Sequence, residues 1–185
     1  MPTHTKKKMS LRARRRRGAE MLEFTLTLLP MLAMIFVLLD VAWGVFVKST
    51  LQYAVRAGTR RGVTITGTQA TAAGACLTEI VKGVVQTNSM GLLRGTAGLA
   101  AIKVNYLKPP APGSTAAATD VSTQTNGNQP LNIIQVSVQN YSLPALAPRI
   151  FSWHQAADLS PTIINAAAAD MIEPSRDVPC IGVAP

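Results

Sequence analysis

The stretch Arg14-Arg15-Arg16-Arg17-Gly18-Ala19-Glu20-Met21-Leu22-Glu23-Phe24 decides how the rest of the chain is read. Positive charge stops at a glycine. Five residues later an acid stands at the edge of an apolar run, and an aromatic follows it. From Phe24 to Val47 the only charged residue is Asp40. As a helix this run would be about 36 Å long at 1.5 Å per residue, against about 30 Å for the hydrocarbon core of a bilayer. It is apolar on all sides, whereas a surface helix of a soluble domain carries one apolar stripe. A membrane span over about residues 24–47 follows, with Trp43 and Phe46 near its far end, where interfacial aromatics belong. Pro30 lies inside the run and predicts a helix kink, because its ring displaces a carbonyl and it has no N–H to donate.

The charge balance supports a tail rather than a binding surface. The chain has 185 residues and a formal charge of +9. Residues 1–18 hold eight of the 18 Lys and Arg and no acid, so the remainder is close to neutral. That leader is too charged to bury a core and reads as disordered and cytoplasmic. Nucleic-acid binding would need basic groups on a folded recognition element, and none is visible. Eight basic residues precede the span and four follow it closely (Lys48, Arg56, Arg60 and Arg61), which favours an N-terminus in the cytoplasm and a C-terminal domain outside it.

Beyond the span the helix has no proline to stop it before Arg61, so one long helix over residues 19–62 is expected, ended by Gly62 and the Thr/Gly-rich Thr64–Thr68. A second helix is predicted over Gln69–Gln86, with Cys76, Ile80 and Val84 on one face, Leu77 and Val81 beside them, and Glu79 and Lys82 turned away. The period then changes from helical to alternating. Ala101–Leu107 aligns Ile102, Val104 and Tyr106, and Leu131–Tyr141 aligns Ile134, Val136 and Val138; both predict strands. Residues 108–130 are rich in Pro, Gly, Ser, Thr and Asn and predict a flexible loop. Leu143–Pro148 carries two prolines, Ile150–Ala157 suits a short helix, and Leu159–Ile172 is divided. Its Pro161-Thr162-Ile163-Ile164 start favours strand and Ala166–Ala169 favours helix, with the balance towards a third strand. The tail from Glu173 to Pro185 should be irregular. The fold class is therefore α+β: a long N-terminal transmembrane helix and a small extracytoplasmic domain, residues 63–185, of one or two helices on a short antiparallel sheet.

Catalytic and metal signatures are missing. There is no nucleophile elbow, no His-Glu-x-x-His and no phosphate loop. The two histidines, His4 and His154, form no ligand cluster with the two cysteines, so neither a metal nor a cofactor is expected and the chain does not read as an enzyme. In an oxidising compartment Cys76 and Cys180 would pair. The alternative is two unrelated thiols. Cleavage as a secretory signal is disfavoured, because bulky residues replace the small-x-small site after the apolar part.

Glu23 remains. A carboxylate at the membrane edge is tolerable while the arginines keep it solvated, but one inside hydrocarbon is costly and points to function. Gly18 followed by Ala19-Glu20-Met21-Leu22-Glu23-Phe24 resembles the type IV prepilin cleavage motif: a glycine, four residues, a glutamate and an aromatic. With arginines before the glycine and Leu28-Leu29-Pro30 in the helix, the stretch looks like the TadE-like pseudopilins of the tight-adherence (Flp) pilus systems. Leu51–Arg60 resembles that family's post-membrane segment, and Val136-Ser137-Val138, Leu143-Pro144 and Met171-Ile172-Glu173 fit its C-terminal half loosely. The resemblance is strong over residues 14–62. It implies cleavage between Gly18 and Ala19 by a prepilin peptidase, with Glu23 and Phe24 as the processing and assembly motif. It further implies a single-pass protein of the bacterial inner membrane whose C-terminal domain is periplasmic, with other pilins or pseudopilins and the Tad secretion machinery as partners. Two rival readings are an uncut envelope anchor that binds a periplasmic or cell-wall partner, and an anchored enzyme.

Overall fold

The computed structural model describes residues 11–143, 161–174, 177 and 179–182, with side chains in the first helix from Glu20 onward. Among these residues four helices and four strands follow in order: α1 (Leu11–Thr64), α2 (Gly67–Ala73), α3 (Leu77–Asn88), α4 (Gly95–Ala101), β1 (Ile102–Lys108), β2 (Thr119–Asp120), β3 (Ile133–Leu143) and β4 (Thr162–Met171). The chain divides into two compact units, one holding residues 1–42 and the other residues 43–144 and 160–185. The expected short helix at Ile150–Ala157, the proline-containing segment 144–148 and His154 lie outside the described residues.

α1 is longer than the sequence predicts at both ends. It begins at Leu11, so the arginine run is helical where composition alone predicts a disordered leader, and it ends at Thr64. Arginine is a good helix former, and a short polar segment can be carried by the apolar helix that follows it.

In the second unit the upper part of α1 becomes a core element. Val47, Leu51, Ala54 and Val55 are completely buried, at the i, i+4, i+7, i+8 spacing of one helix face. Two glycines let neighbouring elements come close. A Cβ on Gly58 would collide with the Val85 side chain, and one on Gly62 would lie 2.6 Å from Ile134 Cδ1 and 3.1 Å from Val81 Cγ2. α3 and the sheet are thus seated directly on the α1 backbone.

The sheet has the order β2-β1-β3-β4 and is antiparallel throughout. Its register sets Ile102 opposite Val138, Val104 opposite Val136 and Tyr106 opposite Ile134. These six side chains, all at most 1% exposed, form the inner face. β4 is a strand despite its four alanines. Ala166 to Ala169 pair in register with residues 135–138 of β3, so tertiary pairing overrides alanine's helix preference.

The single predicted helix over Gln69–Gln86 is broken into α2 and α3. Gly74 takes the left-handed conformation (φ 64°) and its N–H donates to the Thr71 carbonyl, which closes α2. Cys76 is extended and begins α3, with its N–H donated to the Glu79 carboxylate at 3.1 Å. The inward face of α3 is Leu77, Thr78, Val81 and Val85, so the expected Leu77 and Val81 turn inward while Cys76, Ile80 and Val84 are only half-buried. Glu79 is exposed but Lys82 is half-buried, and burial together with nearby Lys103 lowers the Lys82 pKa. The glycines of α4 conceal that helix in the sequence.

The loop predicted over residues 108–130 is anchored along its second half. β2 pairs with the end of β1, and the Val121 N–H donates to the Tyr106 carbonyl at 2.8 Å. The Ser122 hydroxyl accepts the Tyr106 N–H at 2.8 Å and donates to Asp120. These hydrogen bonds from Ser122 lower the Asp120 pKa. Val121, Ser122 and Asn128 are buried, while residues 110–120 are exposed.

A disulfide joins Cys76 to Cys180 across 104 residues of sequence. Beside it, the Leu77 N–H donates to the Cys180 carbonyl (2.8 Å) and the Thr78 N–H to the Ile181 carbonyl (2.9 Å). The C-terminal tail therefore supplies acceptors for two of the orphan donors at the start of α3. Asn128 reaches the same tail through the Pro179 carbonyl.

Two outcomes test this packing. Gly58→Leu should lower stability by more than about 2 kcal/mol through overpacking against α3. Gly83→Ala, where an added Cβ meets nothing within 4 Å, should be neutral or stabilising by up to about 1 kcal/mol. Thermal melts of the two variants decide it. Reducing the disulfide, or Cys180→Ser, should cost about 2–5 kcal/mol, and hydrogen exchange should rise first at the Leu77 and Thr78 amides.

Candidate functional site

The part of α1 below Trp43 has the composition of a core and the exposure of a surface. From Met21 to Phe46, 17 large apolar side chains are exposed, among them Phe24 at 63% and Leu26 at 77%. The most apolar window of 18 residues in α1 has a mean hydropathy of 2.2 and none of it is buried within the chain. Burial of one such side chain is worth about 1.5–3 kcal/mol, so leaving this many wet would cost on the order of 20 kcal/mol. That exceeds the whole stability of an ordinary domain, about 5–15 kcal/mol. The stem therefore needs an apolar environment from outside the chain. Among the described residues this is the one helix long and apolar enough to cross a membrane.

Its polar groups are arranged for such an environment. Thr25 donates to the carbonyls of Met21 (3.1 Å) and Leu22 (2.9 Å), and Thr27 to those of Glu23 (3.1 Å) and Phe24 (3.0 Å). Both hydroxyls are satisfied within their own helix, the manner in which threonine is carried through lipid. Pro30 leaves α1 unbroken, and the helix continues on both sides of it. Asp40 is half-buried, as are Ala33 and Phe36, which lie on the same face at i, i+3 and i+7.

The sequence motif lies at the head of this stem. Gly18 and Ala19 are inside α1, one turn before Glu23. Glu20, Glu23 and Phe24 are exposed. Ala19 and Glu23 are spaced i, i+4, so they share a face with about 6 Å of axial rise between them. Cys76 and Cys180 sit apart from this motif, in the second unit. Among the described residues, no group of three His, Cys, Asp or Glu could hold a metal ion.

Comparison with known families bears on this same segment. The family model described as TadE-like protein matches residues 18–60. This part of the chain is TadE-like. The match opens on Gly18, runs through the exposed stem and past the buried Val47, Leu51, Ala54 and Val55, and stops four residues before α1 ends, so the TadE-like segment joins the motif, the stem and the buried α1 face on one helix. Comparison with curated proteins and with solved structures gave no match.

A direct test of the stem is alkaline carbonate extraction of membranes that contain the full chain. The protein should stay in the pellet. Charged substitutions at Leu32 and Ile35 should move it towards the supernatant, by the depth-dependent cost of a charge in hydrocarbon.

Proposed function

We propose that the protein is a minor pilin or pseudopilin of a type IVb (Flp/Tad) pilus system, used for surface adherence. In this reading a prepilin peptidase cuts it between Gly18 and Ala19, and the stem then joins the assembling structure. The observation that carries the reading is the placement of Gly18, Glu23 and Phe24 at the head of an exposed apolar stem, where the TadE-like match also begins. Partners would be the peptidase, other pilins and the secretion machinery, from a position in the inner membrane with the C-terminal domain in the periplasm.

Physical chemistry makes the two halves of the motif cooperate. Before the cut, the arginines hold the N-terminus at the membrane surface and keep Glu23 at a wet interface. A peptidase needs an extended substrate, and α1 is helical through the bond to be cut. Gly18 lowers the cost of unwinding there, since glycine is about 1 kcal/mol less favourable than alanine within a helix. After the cut the arginines are lost, and the new Ala19 amine stands one turn from Glu23. That amine, or one from a neighbouring chain, gives the carboxylate a partner when the stem leaves the lipid and packs among other helices. A carboxylate in the first turn is also favoured by the helix dipole.

The alternative is an uncut single-span anchor, which the unbroken run of α1 through Gly18 favours. Mass spectrometry of the mature N-terminus separates the two. The proposal expects Ala19 as the first residue, accumulation of the longer precursor with Gly18→Ala, and processing without normal assembly with Glu23→Ala. A mature protein that retains the arginine run would overturn it.

A further inference from the structure

The disulfide is not sealed inside the domain. Cys180 is exposed, while Cys76 is half-buried. Beside them opens a cleft of about 400 Å³, lined by Ser122–Thr125 on one side and Cys180–Gly182 on the other. The residues that line it are uncharged, and Thr123, Gln124 and Thr125 stand exposed at its rim. The two sulfurs are not equivalent. Cys180 lines the cleft, whereas Cys76 lies behind the tail. Gly182 crosses there with a left-handed backbone (φ 87°), and a Cβ on it would lie 2.9 Å from the Cys76 Cβ. A thiol that enters the cleft therefore meets Cys180.

The tail that carries Cys180 is lightly held. Its Cys180 and Ile181 carbonyls accept the Leu77 and Thr78 N–H groups, and its Pro179 carbonyl accepts from Asn128. Past Ile172 the described tail gives the apolar core a half-buried Ile181, beside the buried Pro179. The core elements are joined to one another by contacts that do not involve it: Gly58 of α1 meets Val85 of α3, and Gly62 meets Val81 and the Ile134 side chain of β3.

We propose that the disulfide is an exchangeable clip, opened by a dithiol oxidoreductase that docks in the cleft. The sulfur in the cleft wall sets the chemistry of this partner, because exchange needs a sulfur that a thiolate can reach, and exposed disulfides are the labile ones. The partner's thiolate bonds to Cys180 Sγ, the Cys76–Cys180 bond breaks, and its electron pair leaves on Cys76, which takes up a proton. The partner's second thiolate then displaces Cys180 from the mixed disulfide, and Cys180 takes up a proton in turn. The chain is reduced to two thiols, and the partner's dithiol is oxidised to a disulfide. The tail is then free to leave the start of α3, and the reverse exchange closes it again. The inference depends neither on processing at Gly18 nor on the pilus reading.

The oxidised full chain, in detergent, is mixed with thioredoxin whose second active-site cysteine is replaced by serine, so that the mixed disulfide is trapped. Peptide mass spectrometry is expected to find thioredoxin joined to the Cys180 peptide, with Cys76 free. Capture at Cys76 overturns the assignment, and capture only in urea means a disulfide sealed within the fold, which overturns the proposal. Thr123→Trp narrows the cleft at an exposed position. It should slow capture by thioredoxin severalfold and leave reduction by glutathione unchanged; capture at the parent rate, or equal slowing with both reductants, overturns docking in the cleft. In the reduced chain, hydrogen exchange should rise at the Leu77 and Thr78 amides and stay slow at Val104 and Val136. Loss of protection at all four means that the core opens with the tail, which overturns the clip.

Discussion

One helix has to satisfy two kinds of burial, and the rest of the structure depends on how it does so. Above Val47, α1 presents a single apolar face to its own chain and is polar elsewhere. Below Trp43 it is apolar all round, and its large side chains stay exposed. The hydrophobic effect acts on both halves with the same strength per unit area. Only the upper half finds enough surface within the chain to bury. The lower half must be covered by lipid or by other helices, and a molecule built this way is an anchored or assembling one before any family is considered.

The small domain is held to α1 by close backbone contact and by a clip. Gly58 and Gly62 remove the two side chains that would keep α3 and β3 at a distance. At the other end of α3, the disulfide and two backbone hydrogen bonds from Leu77 and Thr78 attach the C-terminal tail. A four-stranded sheet with one covered face has a limited core, and a covalent closure of about 100 residues adds stability where packing alone is modest.

The TadE-like match ends close to the end of α1. It covers the motif, the stem and the α1 face of the core, and does not extend to the sheet or the clip. Residues 18–60 thus carry both the exposed stem and the α1 face buried in the domain.

Much of the fold was legible in residue order, and the reasons can be stated. The 24-residue apolar run, the alternation of Ile102, Val104 and Tyr106, and that of Ile134, Val136 and Val138 are local patterns, and periodicity alone decides them. The motif at Gly18, Ala19, Glu23 and Phe24 was read from its resemblance to a known family and not from periodicity. Features that depend on partners distant in sequence were not legible. The break between α2 and α3 needed Gly74 together with a tail 100 residues away to cap Leu77 and Thr78, although Gly74 followed by Cys76-x-x-Glu79 was a signal for it. The anchoring of residues 119–128 needed β1 as a template, and their polar composition concealed it. β4 became a strand because β3 offered a ladder to four alanines. The sequence by itself determined the apolar stem and the alternating strands, because local patterning sets them. Only the tertiary structure decided where helices break, which loop is tied down and which face of α3 turns inward, because long-range hydrogen bonds and packing outweigh intrinsic preferences of a few tenths of a kcal/mol per residue.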